Sequence, residues 1–140
     1  MKTFKGSGVA LVTPFLQDGS IDYTALKALV ALQVAGGTDF LVVQGTTGES
    51  PTLSQDEKRR VLDTVLEESN GKLPVVYGIG GNNTHGLEAL FSNLPSGVDG
   101  ILSVSPYYNK PIQKGIVAHF KMVASYTDLP IILYNVPGRT

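Results

Sequence analysis

The sequence contains no cysteine, which excludes disulfides and thiolate metal sites and leaves the redox compartment undetermined. No apolar run approaches the roughly 20 residues of a membrane span, and the apolar part of the first twenty residues, GVALV, is too short for a signal peptide. There is no basic block, and the formal net charge is −1, so nucleic acid and anionic membranes are poor candidates for partners. These absences predict a soluble, cytoplasmic protein.

The 140 residues amount to one domain, and a hydrophobic content of 42% with 16% charge suits a globular interior. Neither a low-complexity stretch nor a linker interrupts the chain, so we place no internal boundary within residues 1–140. Five short apolar runs are nearly continuous, as in strands that are covered on both faces. They lie at residues 8–15, 40–45, 73–81, 100–106 and 129–135.

Helical signals occupy the segments between these runs. Asp22 is placed to cap a first helix, Ser54 and Glu57 have the form of a capping box for a second, and Thr84 is a candidate cap for a shorter third. A fourth helix is predicted over residues 112–126. Apolar residues at helical spacing support these assignments, namely Leu26, Leu29, Val30, Val34, Ile116, Phe120 and Val123.

Strands and helices therefore alternate, and right-handed crossovers would place all five strands in one parallel sheet. Two α/β architectures fit this order: an open doubly wound sheet, or the first five strands and four helices of a parallel (β/α)8 TIM barrel. No G-x-G-x-x-G sequence opens the first helix, which weakens the dinucleotide-binding version. The pattern favours the barrel slightly. In both architectures the working face lies at the carboxyl ends of the strands.

Polar residues follow three of the predicted strands at that face. The second strand runs into GTTGES at residues 45–50, where Thr46 and Thr47 could bind a carboxylate or phosphate, although a plain strand-to-helix turn is equally compatible. The fourth runs into SPYYNKP at residues 105–111, where the tyrosines could pass protons, fill the core or form an interface. Together with the loop after the fifth strand, described next, these loops indicate a small polar pocket that holds an acid and moves protons.

The fifth predicted strand ends in LYNVPGRT at residues 133–140. A phenol at a strand end, here Tyr134, suits general acid–base chemistry if its pKa is shifted from about 10. Arg139 offers a planar fork for a carboxylate, or equally a surface salt bridge. The other polar residues fit ordinary roles: His85 and His119 as structural or solvent-facing, and residues 57–60 as the solvated face of the second helix.

GTTGES, SPYYNKP and LYNVPGRT, in this order, resemble the dihydrodipicolinate synthase family, part of the pyruvate-dependent class I aldolase superfamily of (β/α)8 barrels. The resemblance covers the whole chain but only about the first half of a typical member. It implies a lyase that condenses pyruvate with L-aspartate β-semialdehyde to 4-hydroxy-tetrahydrodipicolinate, in the diaminopimelate route to lysine. It implies no cofactor, and a homo-oligomer, a tight dimer or tetramer, at full length.

Residue by residue, Tyr134 is similar to the family's proton donor and acceptor near the Schiff base. Thr46 and Tyr108 resemble its partners in a proton relay, with Tyr108 reaching across the dimer. Thr47 is similar to the residue that binds the pyruvate carboxylate, and Arg139 to the arginine that recognises the semialdehyde.

The family's Schiff-base lysine lies on the next strand, beyond Arg139, and is missing from this chain. We therefore expect an N-terminal portion of a synthase that is inactive as an isolated 140-residue chain. Two alternatives stay open: an N-acetylneuraminate lyase-like or keto-deoxy sugar-acid aldolase, and a non-catalytic half-barrel that assembles with itself or a complementary half.

Overall fold

The structure is a computed structural model, and it describes residues 4–138. Five strands form one sheet in the order β1-β2-β3-β4-β5, and every neighbouring pair is parallel. This is the sequential order of a (β/α) barrel rather than the rearranged order of a doubly wound sheet. The strands are β1 (Gly8–Ala10), β2 (Phe40–Val43), β3 (Val75–Gly78), β4 (Gly100–Val104) and β5 (Ile131–Tyr134).

Four helices connect the strands, with short 3-10 turns at Thr46–Gly48, Ser50–Thr52 and His85–Leu87. The predicted five-stranded, four-helix part of a barrel is thereby confirmed. The predicted strand ends were less accurate: the strand in the run at 8–15 ends at Ala10, and Phe15 at the end of that run bridges back to Ile21. The helices are α1 (Tyr23–Ala35), α2 (Gln55–Ser69), α3 (Glu88–Ser92) and α4 (Gln113–Ala124).

Two of the three predicted helix caps are present. The Asp22 carboxylate accepts a hydrogen bond from the Ala25 amide, and Ser54 and Glu57 form a complete capping box at the start of α2. The bonds from Ser54 also hold the pKa of Glu57 below its ordinary value. The prediction for Thr84 is wrong: its side chain makes no capping bond, and its hydroxyl lies 2.8 Å from Nδ1 of His119 on α4.

The core lies between the sheet and the helices. Leu26 and Val30 of α1 and Val61, Leu62 and Val65 of α2 are buried against the strands. On β4, Ile101 and Ser103 point into this layer, whereas Leu102 and Val104 are less buried and face the other side of the sheet. This alternation leaves the second face free to line a cavity.

Candidate active site

A cavity of about 920 Å³ lies at the carboxyl ends of β2 to β5. Three of the predicted site residues, Thr46, Tyr108 and Tyr134, line it together. They come from three different strand ends, so the parallel sheet brings together residues that are far apart in sequence. Thr47 is exposed beside Thr46 but is not among the described residues that line the cavity. Arg139 lies outside the described residues.

The loop after β2 is anchored to the segment that follows β1. Thr13 is buried, and its hydroxyl donates a 2.7 Å hydrogen bond to the carbonyl oxygen of Gly48. A β-carbon on Gly48 would lie 3.2 Å from the carbonyl oxygen of Leu11, so this position suits glycine. Glu49 then adopts a left-handed conformation with φ of 53°. These contacts fix the turn that presents Thr46 to the cavity.

Gln44 is a cavity residue that the sequence analysis missed. It follows the last residue of β2, has a φ of 61°, and is only 4% exposed. In the described part of the chain its side-chain amide has no hydrogen-bond partner. Left-handed backbone at a non-glycine residue is strained and concentrates at functional sites. A glutamine directly after the apolar run FLVV was the sequence signal that could have identified it.

Tyr108 is held in a strained turn at the cavity mouth. The Asn109 amide donates a 2.9 Å hydrogen bond to the Tyr107 carbonyl, and Tyr108 between them has a φ of 71°. This is the geometry of a classic γ-turn, which is rare. The Asn82 side-chain amide donates a second, 3.4 Å bond to the same carbonyl. The turn leaves Tyr108 88% exposed.

Tyr134 ends β5 directly beside Val104 of β4. Its carbonyl oxygen accepts hydrogen bonds from the amide and the hydroxyl of Ser105, at 3.0 and 3.4 Å. These bonds fix the backbone while the residue lines the cavity, half-buried. Between residues 4 and 138, no hydrogen bond joins the hydroxyls of Thr46, Tyr108 and Tyr134, so the three-residue relay stays a prediction.

The charged side chains that line the cavity, among the described residues, are all positive. Two lysines, Lys58 and Lys110, line it, and no aspartate or glutamate does so among the described residues. Lys58, which the sequence indicated to be part of the solvated face of α2, is half-buried and lines the cavity. A helical residue can point to solvent or along the top of the sheet, and local sequence does not distinguish these directions.

Two titratable side chains, the half-buried Tyr77 and the buried His119, lie outside the cavity lining. Burial raises the pKa of Tyr77, with a smaller opposing effect of Arg59 and a small reinforcing one of Asp63. Burial lowers the pKa of His119, and an interaction with the Val104 backbone partly offsets this. Both histidines were predicted to be structural or solvent-facing; His119 is 3% exposed, which fits the structural alternative, and His85 is exposed, which fits the solvent-facing one.

The described residues contain no group of three or more His, Asp or Glu side chains placed to hold a metal ion. Within the same residues, no helix is both long and apolar enough to cross a membrane.

A sequential parallel sheet with helices on one face, and a polar cavity at the carboxyl ends of its strands, defines part of a (β/α) barrel of the enzyme type. The family is shown by comparison with known proteins. The model of the Dihydrodipicolinate synthetase family matches residues 3–140, and the chain belongs to that family.

Individual relatives agree with this assignment. The chain is 57% identical to the 4-hydroxy-tetrahydrodipicolinate synthase of Flavobacterium psychrophilum, over 100% of this chain and 48% of that protein. Its sequence is 48% identical to that of dihydrodipicolinate synthase from Aquifex aeolicus. The crystal structure of that protein matches this chain with a TM-score of 0.90, over 98% of this chain and 47% of that one.

A second solved structure is the chloride-inhibited dihydrodipicolinate synthase from Acinetobacter baumannii complexed with pyruvate. It is 44% identical, with a TM-score of 0.94 over 99% of this chain and 48% of that one. The chain thus spans about half the length of the curated relatives it matches.

Proposed function

We propose that the protein containing this chain condenses pyruvate with L-aspartate β-semialdehyde to form 4-hydroxy-tetrahydrodipicolinate. The observation that carries the proposal is that Thr46, Tyr108 and Tyr134 line one cavity at the carboxyl ends of three strands. Family membership and the pyruvate complex of the Acinetobacter relative support the same reaction class. In this proposal the chain supplies proton transfer and carboxylate binding, and the pyruvate Schiff base forms on a lysine beyond Arg139.

Tyr134 is proposed as the proton donor and acceptor. Formation of a Schiff base from a carbonyl and an amine releases water, and aldol addition needs a proton at the new hydroxyl, so a hydroxyl group that gives and takes protons assists both steps. Thr46 and Tyr108 line the same cavity and would relay protons between Tyr134 and solvent.

The two substrates each need a carboxylate site. We assign the pyruvate carboxylate to Thr47 with the neighbouring backbone amides, and the semialdehyde carboxylate to Arg139. Thr47 is exposed in the turn that the buried Thr13–Gly48 hydrogen bond fixes, so its hydroxyl is free to meet a ligand at the edge of the cavity. The assignment of Arg139 rests on the resemblance of LYNVPGRT to the family motif.

A homo-oligomer, a tight dimer or tetramer, is part of the proposal. Tyr108 is a large side chain presented to solvent by a strained turn, and backbone strain of this kind clusters at functional sites. A second subunit that buries this tyrosine would account for its presentation at the surface. Sedimentation of the complete gene product measures the oligomer, and the cytoplasmic location stays a prediction.

The complete gene product tests the reaction. Incubation with pyruvate and aspartate semialdehyde should consume both, and the product should be reducible by a dihydrodipicolinate reductase that oxidises its nicotinamide cofactor. In parallel reactions N-acetylneuraminate and a 2-keto-3-deoxy sugar acid should release no pyruvate. Pyruvate release from either of these, without condensation, would replace the synthase proposal by an aldolase of the sugar-acid type.

A further inference from the structure

The charged run Glu57-Lys58-Arg59-Arg60 at the start of α2 divides into three residues with partners and one without. Glu57 completes the capping box with Ser54. The Arg59 guanidinium donates to Asp63 at 2.8 Å, and the Arg60 guanidinium lies 4.0 Å from the centre of the Tyr23 ring. Lys58 is half-buried and lines the cavity, and within residues 4–138 no carboxylate lies at salt-bridge distance from it.

Lys110 stands on another wall of the same cavity, in the loop that carries Tyr108. It has a φ of 46°, and it directly precedes Pro111. A residue before proline is normally restricted to extended backbone, so the left-handed conformation is doubly unfavourable here. Observed backbone strain of this kind points to a functional constraint. Lys110 likewise has no ion-pair partner among the described residues.

Among the described residues, the two ammonium groups therefore lie in one cleft without a carboxylate partner. No acidic side chain of the described residues lines that cleft, although the chain as a whole carries a formal net charge of −1. A low-dielectric cleft lined by charge of one sign concentrates its field and attracts ligands of the opposite sign. A positive cleft in a slightly acidic chain thus attracts small anions.

We propose that Lys58 and Lys110 form an anion-capture pair, which draws carboxylate-bearing substrates into the cavity before they reach Thr46 and Tyr134. The inference rests on the proposed function, because both proposed substrates carry a carboxylate. It gives the pair a role in substrate association that is separate from carboxylate binding by Thr47 and Arg139. Its signature is a KM that depends on ionic strength, with little change in kcat.

Steady-state kinetics of the complete gene product test the pair. Wild type, Lys58→Gln, Lys110→Gln and the double variant are compared at several salt concentrations, with Lys58→Arg as the charge-preserving variant. We expect the double variant to show a KM for aspartate semialdehyde about 3- to 10-fold higher at low salt, since electrostatic steering acts on association and is screened by salt. The difference should shrink at high salt. Lys114→Gln, which removes an exposed lysine outside the cavity, should match wild type.

An unchanged KM and salt slope in the double variant, with condensation intact, would overturn the anion-capture pair and leave the proposed function standing. A fall in kcat with unchanged KM would also overturn it. If wild type does not condense the substrates, the proposed function fails by itself. Titration of pyruvate by nuclear magnetic resonance then decides the pair: weaker binding to the double variant than to Lys114→Gln supports it, and equal binding contradicts it.

Discussion

The carbonyl oxygen of Gln44 occupies the space that a β-carbon on Gly78 would need. This close approach lets the end of β2 lie against β3, and it fixes the strained backbone that leads into Gly45 and Thr46. The glycine is required by its neighbour rather than by its own conformation, because its φ is not in the left-handed region. The shape of the cavity floor therefore depends on a residue without a side chain.

The variant Gly78→Ala should be both less stable and less active. The added methyl group must displace the Gln44 carbonyl, and overpacking of this kind costs about 1–3 kcal/mol of unfolding free energy. Displacement of Gln44 should also raise the KM for pyruvate, because Thr46 and Thr47 lie in the turn that follows Gln44. Urea unfolding and steady-state kinetics measure the two effects. Gly81→Ala is the matched control, since its β-carbon would meet only the Leu87 side chain at 3.5 Å. Equal stability of both variants would contradict the steric explanation.

The variant Tyr134→Phe should lose most of the condensation activity. Removal of a group that transfers protons lowers kcat by about 10²- to 10⁴-fold, whereas the phenyl ring preserves the packing beside Val104. Tyr107→Phe is the control in the same cavity, because Tyr107 contributes its backbone carbonyl to the γ-turn and has no proposed proton-transfer role. Similar losses of kcat in the two variants would exclude a special role for Tyr134.

The stability of the protein should fall as the pH drops below about 6.5, in part because of His119. Burial lowers the pKa of this imidazole from 6.5, so in the window below 6.5 the unfolded chain binds more protons than the folded one. Above that window the protonation of His119 does not reduce the free energy of unfolding. Within the window the free energy of unfolding falls by no more than about 1.4 kcal/mol per pH unit because of this group. Urea midpoints between pH 5 and 8 should show a shallower slope for His119→Gln. His85→Gln removes an exposed imidazole as control; an equal slope in wild type and His119→Gln would contradict the assignment.

The sequence predicted the order and direction of the elements because these follow from local chemistry. Apolar runs, the capping oxygens of Asp22 and Ser54, and the obligatory crossovers leave few arrangements for a parallel sheet. The meeting of Thr46, Tyr108 and Tyr134 followed from the same rule, because the carboxyl ends of parallel strands share one edge.

What the sequence missed depends on contacts between distant segments. Thr84 had the form of a cap, but its hydroxyl is taken by His119, 35 residues away. The sequence indicated a surface charge at Lys58. The direction of this side chain depends on how α2 packs over the sheet, and no local pattern reports that packing. Gln44 and Gly78 are informative only as a pair, and no local pattern reports that their backbones touch.

Borohydride reduction in the presence of pyruvate tests most directly the claim that this chain is part of a Schiff-base site whose lysine lies outside residues 1–140. The complete gene product should acquire a reduced pyruvate adduct on a lysine outside residues 1–140, located by peptide mass spectrometry. The isolated 140-residue chain should acquire none. An adduct on Lys58 or Lys110, the two lysines that line the cavity in the described structure, or the absence of any adduct on an active complete protein, would contradict the account.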